Sequence, residues 1–157
     1  MQTRNYLLNN YYVNVLMTRT TDTYVSLADR VALANSNGAD YFVSIHINAG
    51  GGTGFESYIY DGTVSSNTIN WRQILHDTIM SRIGSAWNVS DRGKKRANFY
   101  VLRETAMPAV LTENLFIDTS QDLSKLNNPS FISTLAQAHA DGIAQALSLP
   151  AKLAVKN

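Results

Sequence analysis

The sequence predicts an α/β domain: a mixed, mainly parallel sheet with helices on both faces. Three observations carry that expectation. Tyr41–Gly54, YFVSIHINAGGGTG, opens as a β-branched and aromatic run and closes on glycines, the pattern of a buried strand leading into a sharp turn. Ala109–Ile117, AVLTENLFI, is a second apolar run, entered from Pro108. Between and around these strands lie segments whose apolar residues recur every third or fourth position, as amphipathic helices require.

The elements follow in order. Tyr6, Leu7 and Leu8 give the N-terminal stretch an apolar side that the Asn9–Asn10 pair ends, so it reads as the end of a helix. Val13–Thr18 alternates well enough for a strand. A Thr- and Asp-rich turn follows, then a helix from about Ser26 with Leu27, Val31 and Ala34 on one face and Gly38 as its stop. Strand, helix, strand in that order implies parallel pairing through a right-handed crossover. Phe55–Tyr60 is the next strand, with Glu56, Tyr58 and Tyr60 on one side and Phe55, Ser57 and Ile59 on the other. Thr68–Ile83 is a helix whose Trp71, Leu75, Ile79 and Ile83 line one face. Asn88–Asn98 is polar and basic and reads as a solvated loop, Tyr100–Arg103 as a short strand, and Asp118–Asn128 as a polar connection. Ser130–Leu147 is a long amphipathic helix that ends before Pro150.

Composition bounds the function. At 157 residues, 45% apolar and 16% charged, the chain is one ordinary globular domain. Its organisation is expected as a domain over 1–149 and a tail or linker start over 150–157. A net charge of +1 offers no electrostatic footprint for nucleic acid. No segment approaches membrane-spanning length, and no signal sequence is visible. Cysteine is absent, which excludes disulfides, thiolate metal sites and a cysteine nucleophile. A monomer is expected.

Two titratable residues stand out. His46 ends the first apolar run, where a side chain can face a crevice at a sheet edge. Glu113 interrupts the second run, and a carboxylate there is costly unless it is paired or has chemistry to do. Glu56 reads better as a strand carboxylate in a hydrogen bond or ion pair than as a ligand. His76 and His139 lie on helices without a metal-pair spacing and read as solvent-side residues. The Gly-rich loop matches no phosphate-binding spacing, so a nucleotide-binding reading is poor and leaves Glu113 unexplained.

SIHINA, then GFESYIY, then VLRETAMPAVLTENLFID, in that order from about Asn5 to Leu147, resembles the zinc-dependent N-acetylmuramoyl-L-alanine amidases of bacilli and their phages. The resemblance implies a cell-wall hydrolase that cleaves the amide between the lactyl group of N-acetylmuramic acid and L-alanine. Its partner would be peptidoglycan, and its place of action the wall, in autolysis, sporulation or phage release. It implies Zn2+ with His46 as one ligand, Glu113 as general acid or base, and Asn48 and Arg92 near the substrate. It also implies two further ligands, a histidine in a GHGG-like turn and a later glutamate, upstream of Met1 together with the family's first strand. The expectation is therefore an amidase domain lacking its N-terminal portion, with weak zinc binding and little activity of its own. A non-catalytic remnant or wall-binding module with the same fold is the alternative. Leu115, where relatives commonly have glycine, is expected to narrow the cleft beside Glu113.

Overall fold

A computed structural model describes residues 1–153. The element order is α1 (Gln2–Asn10), α2 (Leu27–Ser36), β1 (Phe42–Asn48), β2 (Phe55–Tyr60), α3 (Ser66–Trp87), β3 (Asp91–Ala97), α4 (Tyr100–Arg103), β4 (Ala109–Phe116), α5 (Ser120–Leu126) and α6 (Pro129–Ala146). The four strands form one sheet in the order β1-β4-β2-β3. β1 pairs parallel to β4 and β2 parallel to β3, whereas β2 and β4 are antiparallel. The α/β class and the mixed, mainly parallel sheet expected from the sequence are present.

Strand alternation divides the apolar residues between two cores. On one face Phe55, Ile59, Val110 and Leu115 pack against Leu75, Ile79 and Ile83 of α3 and against Phe131, Leu135 and Ile143 of α6. On the other, Phe42, Ala109 and Leu111 meet Val31 and Ala34 of α2 and Val101 and Leu102 of α4. The larger core holds residues of both α3 and α6. Ser65 begins α3 by accepting from the Thr68 amide, and Asn88 ends it in the left-handed conformation at φ 51. Asn128 caps α6, with Pro129 at its first position.

Several local expectations are corrected. Val13–Thr18 forms no strand, so no strand–helix–strand crossover precedes β1. The basic segment Asn88–Asn98 contains β3, because its cations find carboxylates on β2 and α3 once the strand pairs. Tyr100–Arg103 is a helical turn that buries Val101 and Leu102. Asp118–Asn128 contains α5, anchored by the buried Asp122. His76 and His139 are each only 1% exposed, since both face the sheet from their helices. Ser57 Oγ lies 2.7 Å from His76 Nδ1, and Thr112 Oγ1 lies 3.0 Å from His139 Nε2. A helix histidine is invisible as a core residue until a strand hydroxyl is known to await it.

Leu115 is corrected as well. The register steps from His46–Glu113 to Asn48–Phe116, so β4 carries one extra residue there. Leu115 adopts φ 69 and is fully buried, pointing into the larger core and away from Glu113. It does not narrow the cleft. The left-handed backbone is the physical reason a glycine would suit this position.

Candidate active site

The sheet order brings three titratable residues from separate strands into one row. His46 of β1 lies directly opposite Glu113 of β4, and Glu113 lies directly opposite Glu56 of β2. Directly opposed residues share a face, here the one covered farther along by α2 and α4. Along that face Phe42, Ser44 and His46 alternate on β1, as do Ala109, Leu111 and Glu113 on β4. The apolar half lies under the helices and the polar row extends past them. His46 and Glu113 thus occupy the same end of neighbouring parallel strands, as expected.

The loop after β1 is fixed from below. Asp118 Oδ2 accepts from the Gly50 and Gly51 amides at 2.7 and 2.9 Å. The buried Asp122 accepts from Thr53 Oγ1 and from the Gly54 and Phe116 amides. Gly54 adopts φ +107, and a Cβ there would come within 2.3 Å of the Ser90 carbonyl oxygen. Only glycine passes so close. Neither aspartate stood out in the sequence, because each acts on backbone amides nearly 70 positions away.

Each side chain in the row has a distinct environment. His46 Nε2 lies 3.0 Å from Ser44 Oγ. Burial, then the positive charges of Arg30 and Arg19, lower its pKa, which favours the neutral imidazole that a metal needs. Arg19, Arg30 and His46 line a groove of about 1830 Å³ along the free edge of β1. The Glu113 Oε2 atom is buried without a hydrogen-bond partner among the described residues. Burial, followed by the charge of Glu56, pushes the Glu113 carboxyl up to about 7. Such a group can give or take a proton near neutrality. Asn114 Nδ2 donates to the His46 carbonyl at 2.8 Å and to Thr112 Oγ1 at 3.0 Å, tying β4 to β1 at the bulge.

Glu56 is 2% exposed and makes the ion pairs that the sequence reading favoured for it. It does more than pair, because it touches both substrate-side candidates. Asn48 Nδ2 donates to Oε1 at 3.0 Å and Arg92 Nε to Oε2 at 2.8 Å. Tyr58 and Lys95 complete the set. The sequence could not place Glu56 beside Glu113, since that contact depends on β2 and β4 being antiparallel neighbours 50 or more residues apart.

The residues present do not make up a catalytic zinc site. Such a site needs three protein ligands, and among the described residues no three His, Cys, Asp or Glu side chains converge.

The α/β sheet presents a histidine and a carboxyl of raised pKa at adjacent strand ends. The comparisons give the family. The family model described as N-acetylmuramoyl-L-alanine amidase matches residues 1–145. The chain is 55% identical over 147 residues to the N-acetylmuramoyl-L-alanine amidase CwlM of Bacillus licheniformis, covering 93% of this chain and 56% of that one. It is 53% identical over 147 residues to a sporulation-specific N-acetylmuramoyl-L-alanine amidase of Bacillus subtilis (strain 168), with the same coverage. Among solved structures, the N-acetylmuramoyl-L-alanine amidase from Clostridium difficile 630 superposes with a TM-score of 0.86 at 36% identity, over 94% of this chain and 78% of that one. The chain belongs to the N-acetylmuramoyl-L-alanine amidase family, and it spans just over half the length of the two Bacillus relatives.

Proposed function

We propose that this domain serves peptidoglycan hydrolysis, cleaving the amide that joins the lactyl group of N-acetylmuramic acid to L-alanine. The observation that carries the reading is the His46–Glu113 row on paired strand ends, in a chain of this family. Glu113 is the general acid or base: its carboxyl changes charge close to neutral pH, and among the described residues its buried oxygen has no partner to compete for a proton. His46 is one metal-ligand position, with a neutral ring held near Ser44. Asn48 and Arg92 border the substrate, both steadied by Glu56.

The family's Zn2+ needs more donors than His46, and the described residues do not bring them to it. The complete ligand set therefore requires donors from other residues, and residues 1–157 by themselves bind zinc weakly and hydrolyse walls slowly. The site of action is the cell wall, outside the cytoplasm. Among the described residues, no helix is long and apolar enough to cross a membrane.

Digestion of purified walls tests the reaction, using a polypeptide that carries the complete donor set around this domain. New N-terminal alanine should appear without new reducing sugar ends. Release of reducing ends in its place would mark a glycosidase and refute the reading.

A further inference from the structure

A bulge in β3 has a consequence for what the cleft recognises. Phe55 pairs with Asp91 and Ser57 with Lys94, so β3 carries one residue more than β2 across that interval. Gly93 absorbs it at φ +91. As a result Arg92 and Lys95, three positions apart, meet the same carboxylate on one face. Asp91 and Lys94 go to the other, where they meet His76 and Asp77 of α3.

Glu56 lies beneath the two cations. Burial raises its pKa, but hydrogen bonds from Lys95, Arg92 and Tyr58 outweigh that and hold it below the ordinary carboxylate range. One buried anion faces two cations. Arg92 is also fixed in direction. Its guanidinium stacks 4.9 Å over the Phe116 ring, its Nε is committed to Glu56, and Nη1 reaches the Thr53 carbonyl only at 3.5 Å. Nη2 has no partner among the described residues. The side chains of Arg92 and Lys95 remain 34% and 36% exposed, so their outer faces meet solvent.

We propose that Arg92 and Lys95, clamped by Glu56, receive a free carboxylate of the peptide whose amide is cleaved, so that the domain prefers an acidic peptide to its amidated form. The inference rests on the amidase reading and specifies the substrate class for it. A guanidinium stacked on an aromatic ring and oriented through Nε offers its terminal nitrogens end-on to a carboxylate, and a neighbouring ammonium adds a point charge. Glu56 is a positioning residue, acting through Arg92 and Asn48.

The test compares two ligands on the unmodified chain: N-acetylmuramoyl-L-alanyl-D-glutamate, and the same compound with both carboxylates converted to carboxamides. Affinity is read by NMR titration at low and high salt. The acid should bind roughly tenfold more tightly, the size expected for a charge-assisted hydrogen bond at a partly exposed site, with the preference shrinking as salt rises. Arg92→Gln and Lys95→Gln should each reduce the preference and together remove it. Glu56→Gln should also reduce it, although that change makes the patch more positive. A rise in Glu56→Gln would show simple charge attraction and overturn the positioning role. Equal affinity for the two ligands, no binding of either, or a preference that survives in the double variant would overturn the proposal. Release of N-terminal alanine from walls is a separate measurement, so the substrate preference can fail while the amidase reading stands.

Discussion

Replacing Glu113 with glutamine is expected to slow wall hydrolysis by roughly 10²–10⁴-fold, the usual contribution of a positioned general acid or base. The variant is to be made in a polypeptide that carries the complete donor set. Glutamine keeps the shape and cannot carry the proton. The fold should not suffer. A carboxyl raised from its ordinary value to about 7 favours the folded protein while protonated, and costs stability as pH rises through 7. Glutamine removes that cost, so the variant should melt no lower than the parent at pH 8. Loss of activity with loss of folding would make Glu113 structural. Unchanged activity would remove it from the mechanism. On the proposed reading, His46→Ala should be equally inactive.

Acid is expected to destabilise the domain by about 3 kcal/mol through His139 alone. The ring is 1% exposed and makes both its hydrogen bonds inside the protein. The Leu135 carbonyl can only accept, so Nδ1 carries the proton and Nε2 accepts from the Thr112 hydroxyl. Burial depresses the pKa to about 4, partly offset by the bond to Leu135. The unfolded histidine titrates near 6.5, so it takes up a proton before the folded one does. The contribution is fully present above pH 6.5 and is lost as pH falls toward 4, at about 1.4 kcal/mol per unit. His76, also lowered by burial though opposed by Asp91, acts in the same direction. Urea denaturation at pH 7, 5.5 and 4.5 measures this, and His139→Gln should flatten the slope by one proton. An unaltered slope in that variant would contradict the assignment.

Periodicity alone revealed the two core strands and the α3 and α6 faces, because those signals are local. Leu75, Ile79 and Ile83 repeat every fourth position and are all fully buried. His46 and Glu113 are conspicuous as titratable residues within apolar runs. What stayed hidden depends on distant pairing. Arg92 and Lys95 look like loop cations until β3 is laid beside β2 and Glu56 meets them. Asp118 and Asp122 look like a polar connection until the glycine loop is seen resting on them. Val13–Thr18 shows the converse. Alternation suggested a strand, but these residues take no place in the sheet, whose β1 edge borders the groove they line.

The most direct test of the central claim is where the substrate fragment binds. A second pocket of about 400 Å³ lies at the opposite end of the sheet, near Thr63, Thr105 and Met107. Backbone amide shifts of residues 1–157 should be followed by NMR as N-acetylmuramoyl-L-alanine is added. Shifts centred on His46, Asn48, Arg92 and Glu113 are predicted. Shifts confined to Thr63, Thr105 and Met107, with the His46–Glu113 row unmoved, would contradict the assignment.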